Sequence, residues 1–295
     1  MQEAKRQHEP VLVKQVLEVL QPQKGESYLD LTAGYGGHAE QILAKTQNYK
    51  EAVFVDRDEM AVEYLQAKYQ TKGVQICHSD FYKAALSLAE AGQKFDLILA
   101  DLGVSSPQLD QAERGFSLNK EARLDMRMDK TQSLDAWTVV NKYSERELAR
   151  ILRDYGEVSQ GQARLIAKKI VLGRPINTTI ELAELVRQVV HGHKNRHPAT
   201  PIFQAIRIVV NDELGELRQT LAVLPDLLKP GGRLAIISFH SLEDRMAKRF
   251  LKMESSTGLD AALELIYKKA LIADHSEVVN NPRARSAKLR AARKN

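Results

Sequence analysis

The stretch Ser27-Tyr-Leu-Asp-Leu-Thr-Ala-Gly-Tyr-Gly-Gly-His-Ala39, with its sequel Ala52-Val-Phe-Val-Asp-Arg-Asp58, constrains this chain more than any other. It reads as a short apolar strand, a glycine turn at Gly34, Gly36 and Gly37, a helix from His38 to about Thr46, and a second strand ending in Asp56. Glycine lets the backbone take positive φ and lets a ligand come close to it. A carboxylate at Asp56, about 20 residues past the turn, can accept both hydroxyls of a ribose. The order strand, turn, helix, strand, acid opens a nucleoside-binding α/β fold. The pattern Gly-x-Gly-Gly departs from the dinucleotide fingerprint Gly-x-Gly-x-x-Gly and by itself fits a plain tight turn, so Asp56 carries the inference.

The remaining chain extends this unit. Residues 11–20 show helical spacing and predict a lead-in helix over a sheet. Asp58 is placed to cap a helix from Glu59 to Tyr69. Val74–Cys77 predicts a third strand running into His78-Ser-Asp-Phe81, Lys83–Ala91 a helix, and Phe95–Ala100 a fourth strand ending in Asp101-Leu-Gly103. Alternating strands and helices imply a parallel sheet with right-handed crossovers, whose ligands sit at the carboxyl ends of the strands. Gly36, Asp56, Asp80 with Phe81, and Asp101 all fall at such ends, and their convergence outweighs any single motif.

From Ser133 the alternation gives way to helices at about 134–142, 145–155, 162–172 and 180–190. Ser144-Glu-Arg-Glu147 and Thr178-Thr-Ile-Glu181 are capping-box starts, and Gly156, Gly173 and Gly192 mark ends. This block predicts an inserted all-helical domain at 107–200, between a first sheet segment at 1–106 and a second at 201–295. Thr200-Pro201 caps a further helix from Ile202. Arg233–Phe239 predicts a fifth strand, Ser241 an N-cap for a helix to about Lys252, and 263–267 and 286–289 two last strands. The end of the chain carries Arg283, Arg285, Lys288, Arg290, Arg293 and Lys294 and no acid, which suits a phosphate-gripping arm.

Composition narrows the function. Over 295 residues, 43% hydrophobic and 27% charged, the chain can bury a substantial core, and its net charge of +5 permits nucleic-acid binding. Its one cysteine, Cys77, excludes an internal disulfide and a cysteine zinc site and suits a reducing compartment. No apolar run approaches a membrane span, so a cytoplasmic protein is expected. His191, His193 and His197 share a loop with Lys194 and Arg196; this reads as an RNA-facing basic loop, and no metal site is expected. His240-Ser241 with Asp244 lacks a nucleophile elbow, so hydrolysis is set aside.

Two cofactors suit such a crevice. A nicotinamide dinucleotide would place its pyrophosphate at the glycine turn. S-adenosylmethionine has no phosphate and needs a glycine turn, an acid for the ribose, and an acid and ring for the adenine; Asp80-Phe81 suits the last task, with core packing as the alternative for Phe81. Asp101-Leu-Gly-Val-Ser-Ser-Pro-Gln108 lies where amine methyltransferases place hydrogen-bond acceptors. An aromatic amine is a poor nucleophile because its lone pair is delocalised, and acceptors on its N–H groups favour a pyramidal nitrogen that can attack in line. Asp125, Arg127 and Asp129 form either an Arg–Asp network pinning the insert or a direct substrate contact. A non-catalytic RNA-binding assembly factor is the reading from a different class.

The blocks His8-Glu-Pro-Val11, Gly36-Gly-His38, Asp56-Arg-Asp58, Asp101–Asp110, Glu113-Arg-Gly-Phe-Ser117, Leu124–Asp129, His197-Pro-Ala-Thr200, Phe203–Arg207, Ile237–Asp244 and Asn281–Ser286 occur in order. Together they resemble the bacterial 16S ribosomal RNA cytosine-N4 methyltransferase family from His8 to Leu289. The resemblance implies a Rossmann-like class I sheet, S-adenosylmethionine as cofactor, and methylation of the N4 amine of a cytosine at the decoding centre of the small ribosomal subunit. It also implies cofactor contacts at Gly36, Gly37, His38, Asp56, Phe81, Asp101 and Gln108, with Asp101 catalytic. Departures fall at Thr200-Pro201-Ile202, at Val158-Ser-Gln-Gly161 and in a short segment between Lys252 and Asn280; none touches the cofactor residues.

Overall fold

A computed structural model describes residues 10–103, 111–190, 197–256 and 261–295. The chain divides into two compact units, Met1–Gly103 with Leu214–Asn295, and Val104–Glu213. In the first, helices α1 (Val13–Leu20), α2 (Gly37–Thr46), α3 (Glu59–Tyr69) and α4 (Phe81–Glu90) alternate with strands β1 (Tyr28–Asp30), β2 (Ala52–Asp56), β3 (Gln75–His78) and β4 (Phe95–Asp101). The second holds α5 (Ala136–Lys142), α6 (Glu145–Gly156), α7 (Gln160–Leu172), α8 (Thr179–Val189) and α9 (Thr200–Asn211). There follow α10 (Glu213–Leu227), β5 (Leu228–Ser238), α11 (Ser241–Glu254), β6 (Leu263–Leu265), β7 (Leu271–Ile272), α12 (His275–Asn280) and β8 (Lys288–Lys294).

The sheet runs β3-β2-β1-β4-β5-β8-β6, with β7 paired to β8. The pairings β1–β2, β1–β4, β2–β3 and β4–β5 are parallel, and β8 is antiparallel to β5. Strand order reverses between β1 and β4, so their carboxyl ends flank the switch-point crevice. Both faces of the sheet are buried, which explains the unbroken apolar runs of its strands. Tyr28, Phe54, Leu97, Leu99, Ala235 and Ile237 point into one core, with residues of α1, α2 and α3. Their neighbours Leu29, Val53, Val55, Ile98, Leu234 and Ile236 point into the other, with residues of α4, α10 and α11.

The helical unit has its own core, built from apolar faces such as Leu148 and Ile151 of α6, Ile166 and Ile170 of α7, and Leu182 and Val186 of α8. Ser144–Glu147 and Thr178–Glu181 form reciprocal capping boxes, as their spacing predicts, and Ser159–Gln162 forms a further one that the sequence reading passed over. The compact unit also extends past the expected boundary at 200, because Ile202, Phe203, Ile206 and Val210 of α9 fill the same core.

Other expectations need correction. The N-cap of α11 is His240, with extended backbone, while Ser241 is already helical; Glu243 completes the capping box. Thr200 likewise lies inside α9, whose N-cap is Ala199 without a side-chain cap. The basic C-terminus is no free arm: it forms β8, paired on both sides, because Leu289, Ala291 and Ala292 bury their side chains. The last strands are therefore three, β6, β7 and β8, where two were expected.

Candidate active site at the strand tips

The site is assembled at the ends of β1, β2 and β4. Leaving β1, the chain takes positive φ at Gly34 (53°) and Gly36 (77°) before entering α2. A Cβ at Gly36 would lie 3.2 Å from the side chains of Leu65 and Tyr69, and one at Gly37 would lie 3.2 Å from Pro10. A side chain at either position would therefore crowd these neighbours, which fits glycine at both. No side chain caps α2, which leaves its N-terminus to whatever anion approaches it.

Asp56 ends β2. Its Oδ2 accepts the N–H of Gly34 at 2.7 Å and its Oδ1 accepts that of Asp58 at 2.8 Å. Burial raises its pKa, against the lowering effect of these two hydrogen bonds. Each oxygen keeps a second lone pair, the requirement for accepting paired ribose hydroxyls. Phe81 opens α4, half-buried against the sheet core, with the Arg57 guanidinium 5.8 Å from its ring centroid. Arg57 is itself held by Glu216. Asp80 works as the N-cap of α4, accepting the Lys83 N–H at 2.8 Å and pairing with the Lys83 ammonium at 3.0 Å. That helix-terminal duty accounts for its carboxylate without an adenine.

Asp101 ends β4. Its backbone N–H donates to Thr32 Oγ1 at 2.6 Å, tying the strand tip to the glycine turn. Its Oδ2 lies 3.5 Å from Nε2 of His38, on α2. His38 is 6% exposed. Both its ring nitrogens, and Asp101 Oδ1, are buried without a hydrogen-bond partner. Unpaired polar atoms carry a desolvation penalty of roughly 1–3 kcal/mol each, so such a cluster marks a place where a ligand completes the bonding.

Beneath it lies a group that the sequence reading missed, Asp30. Fully buried on β1, it accepts the Tyr28 hydroxyl at 2.6 Å and the Thr32 N–H at 3.2 Å. Burial raises its pKa to about 6 despite those bonds and a nearby His38. The signal was available, since a carboxylate in an apolar strand between Leu29 and Leu31 is rare without a task.

Gln108 and the segment Ser105–Pro107 lie outside the described residues, as do His191 and His193. His197 places Nε2 2.8 Å from Arg187 Nη2 and Nδ1 3.2 Å from the Ala199 N–H. Burial, then Arg187, lowers its pKa, which favours the neutral ring. In the helical unit Arg127 grips both oxygens of Asp125 at 2.8 Å and also donates to the carbonyls of Lys130 and Gln132. Burial works against the Asp125 carboxylate, but Arg127 outweighs it and lowers its pKa. Asp129 accepts from Thr131. An Arg–Asp network is therefore present within the helical unit.

A sheet of this order with an antiparallel β8, carrying an acid at the tip of β2 and a second at the tip of β4, is the Rossmann-like class I methyltransferase fold. The cofactor of that class is S-adenosylmethionine. Residues 5–295 match the family described as the MraW methylase family, and the chain belongs to it. Ribosomal RNA small subunit methyltransferase H of Syntrophotalea carbinolica is 47% identical over 309 residues, covering 98% of both chains. The protein of the same name from Trichormus variabilis is 45% identical over 298 residues, covering 100% of this chain and 94% of its own. That from Caldicellulosiruptor bescii is 44% identical, covering 98% and 99%. Among the described residues no helix is long and apolar enough to cross a membrane.

Proposed function

We propose that this chain methylates the N4 amine of a cytosine in 16S ribosomal RNA, at the decoding centre of the small ribosomal subunit, in the cytoplasm. The observation that carries the reading is Asp101 at the tip of β4, one oxygen 3.5 Å from His38, the other buried without a partner, and its backbone N–H tied to Thr32 of the glycine turn. The similarity to proteins named for small-subunit RNA methylation supports the substrate.

S-adenosylmethionine supplies an electrophilic methyl group on a sulfonium. In this reading Asp56 accepts its ribose hydroxyls, the bare backbone at Gly36 and Gly37 and the start of α2 take its amino-acid end, and the ring of Phe81 lies against its adenine. Gln108 joins them by the resemblance alone. The target cytosine is swung out of its stack. Asp101 accepts an N–H of its amine, which withdraws the proton from the ring plane and frees the lone pair for in-line attack. Attack by carbon-5 chemistry would require a cysteine nucleophile. The one cysteine, Cys77, lies on β3 at the outer end of the sheet, and burial raises its thiol pKa.

The test is mass spectrometry of nucleosides from small subunits incubated with the protein. N4-methylcytidine is expected, and Asp101→Ala should lose about 100-fold or more in rate while keeping its fold. Formation of 5-methylcytidine, or full activity in Asp101→Ala, refutes the proposal, and particle binding without methyl transfer would favour the assembly-factor reading.

A further inference from the structure

The methylated amine must lose a proton, and among the described residues the titratable group nearest the Asp101 carboxylate is His38, 3.5 Å away. The His38 imidazole is buried with neither nitrogen hydrogen-bonded, although a structural histidine of this burial ordinarily satisfies at least one. It lies on α2 with Asp101 of β4 3.5 Å from Nε2, and its charge favours the ionised form of a second carboxylate, Asp30 of β1. Tyr28 donates to Asp30 from the same strand, and Tyr69 of α3 is the further titratable group that senses Tyr28.

We propose that His38 is the acceptor, by way of the Asp101 carboxylate, of the proton that the substrate amine releases, with Asp30 and Tyr28 as the positioning pair that stabilises the resulting imidazolium. The inference rests on the amine-methylation reading above. The amine lone pair forms the new N–C bond as the C–S bond breaks with its electrons left on sulfur, so the positive charge passes from sulfur to nitrogen. As that bond forms, the nitrogen gives one proton to Asp101, which hands it to Nε2. Neutral secondary amine, neutral thioether and imidazolium result, with total charge unchanged. The imidazolium loses the proton to solvent when products leave.

A proton-accepting histidine differs from a merely cofactor-holding one in what it couples to. Asp30 ionises at about 6 in the folded protein, so its negative charge supports the imidazolium above that pH and not below it. The Tyr28 hydrogen bond lowers the Asp30 midpoint, so its removal moves that midpoint upward.

Two measurements test this. In the protein without substrate, ring 15N spectra of labelled histidine should show the His38 signals moving with the Asp30 ionisation near pH 6. This coupling should vanish in Asp30→Asn, and Asp101→Asn should change the Nε2 signal and move the coupling to lower pH, because the Asp101 charge raises the Asp30 midpoint. In single turnover on small subunits, wild type should lose rate below the same midpoint. Tyr28→Phe should shift that acid limb to higher pH, while Asp30→Asn should lower the plateau about tenfold and abolish the limb. His38→Gln should lose about 100-fold in rate at saturating S-adenosylmethionine, so that the loss lies in turnover and not in cofactor affinity. Ring signals indifferent to Asp30→Asn and Asp101→Asn, an acid limb that survives Asp30→Asn, or a His38→Gln rate restored to wild type by saturating S-adenosylmethionine would each overturn it. Absence of any methylated amine in wild type would defeat the substrate reading instead, and the 15N coupling would still decide whether the three groups share charge.

Discussion

Asp30 shows how a single side chain can work against the fold that holds it. Its folded pKa of about 6 lies above the ordinary 3.8, chiefly because burial disfavours the carboxylate. The unfolded chain therefore ionises first. As pH rises from about 4 to about 6 the unfolded state gains a charge that the folded state lacks, and stability falls; above the folded midpoint the loss is complete and constant. At about 1.4 kcal/mol per unit, the penalty at neutral pH is on the order of 2–3 kcal/mol. Asp30→Asn has no charge to bury and should be more stable than wild type at pH 7 by an amount of that order. The gap should close toward pH 4, where the acid is protonated and nearly isosteric with the amide. Urea unfolding of both proteins across that range measures the difference, and equal stability at pH 7 would show the carboxylate to be better compensated than its hydrogen bonds indicate. A stabilising substitution that impairs turnover is the usual mark of a group kept for its chemistry. Sequence periodicity could not expose Asp30, because alternation only sorts residues between two faces, and both faces here are buried. Asp56 and Asp101 were legible because each closes a longer apolar run in the sequence, whereas Asp30, although the last residue of β1, is followed by Leu31 and reads as interior to a short one.

Within elements, glycines separate those that the backbone needs from those it merely tolerates. Gly115 takes φ of 73°, and a Cβ there would meet the backbone oxygen of Arg123 at 2.6 Å and the nitrogen of Asp125 at 2.8 Å. Gly161 lies in the first turn of α7, with ordinary φ and nothing within 4 Å of its would-be Cβ. Gly115→Ala should cost roughly 3 kcal/mol or more, since strained dihedrals and a main-chain clash add. Gly161→Ala should add up to about 1 kcal/mol through helix propensity and reduced freedom of the unfolded chain. Thermal melts of the two variants decide the matter; a stable Gly115→Ala, or a weakened Gly161→Ala, would contradict the geometry. The capped helices were readable for a related reason, since Ser144 and Glu147 interact within one turn. By contrast, only the start of β8 was legible, in the strand expected at 286–289, because the burial of its remainder depends on pairing with β5 and β6, distant in sequence, while its basic residues look like a solvated tail. The end of the helical unit escaped for the same cause: the apolar stripe of α9 suits any core, and only tertiary packing assigns it to one.

For the molecule as a whole, net charge is a poor guide to where RNA binds. The +5 is a small residue of 43 basic and 38 acidic side chains, many of them already committed to one another. Lys288 and Arg290, both from the basic C-terminal stretch, bind Asp244 at 3.1 and 2.7 Å, and together they lower its pKa against the effect of burial. Arg290 is only 13% exposed in this pairing. Such a cation cannot neutralise a phosphate without abandoning Asp244, and a half-buried carboxylate left behind would cost more than a surface contact returns. Each lysine or arginine that does neutralise a phosphate contributes about 0.7–0.9 to the slope of log affinity against log salt. Arg290→Gln should therefore leave that slope for 16S RNA unchanged to within about 0.3, while lowering stability by about 1–3 kcal/mol. A cation that grips the backbone should do the reverse, reducing the slope by nearly one and barely altering the melt. Filter binding across a salt series, run beside thermal unfolding, reads both quantities on the same variant. A slope reduced by about one in Arg290→Gln, with the melting temperature intact, would restore the C-terminal stretch as an RNA-binding arm. It would also mean that the ion pair with Asp244 opens when RNA arrives.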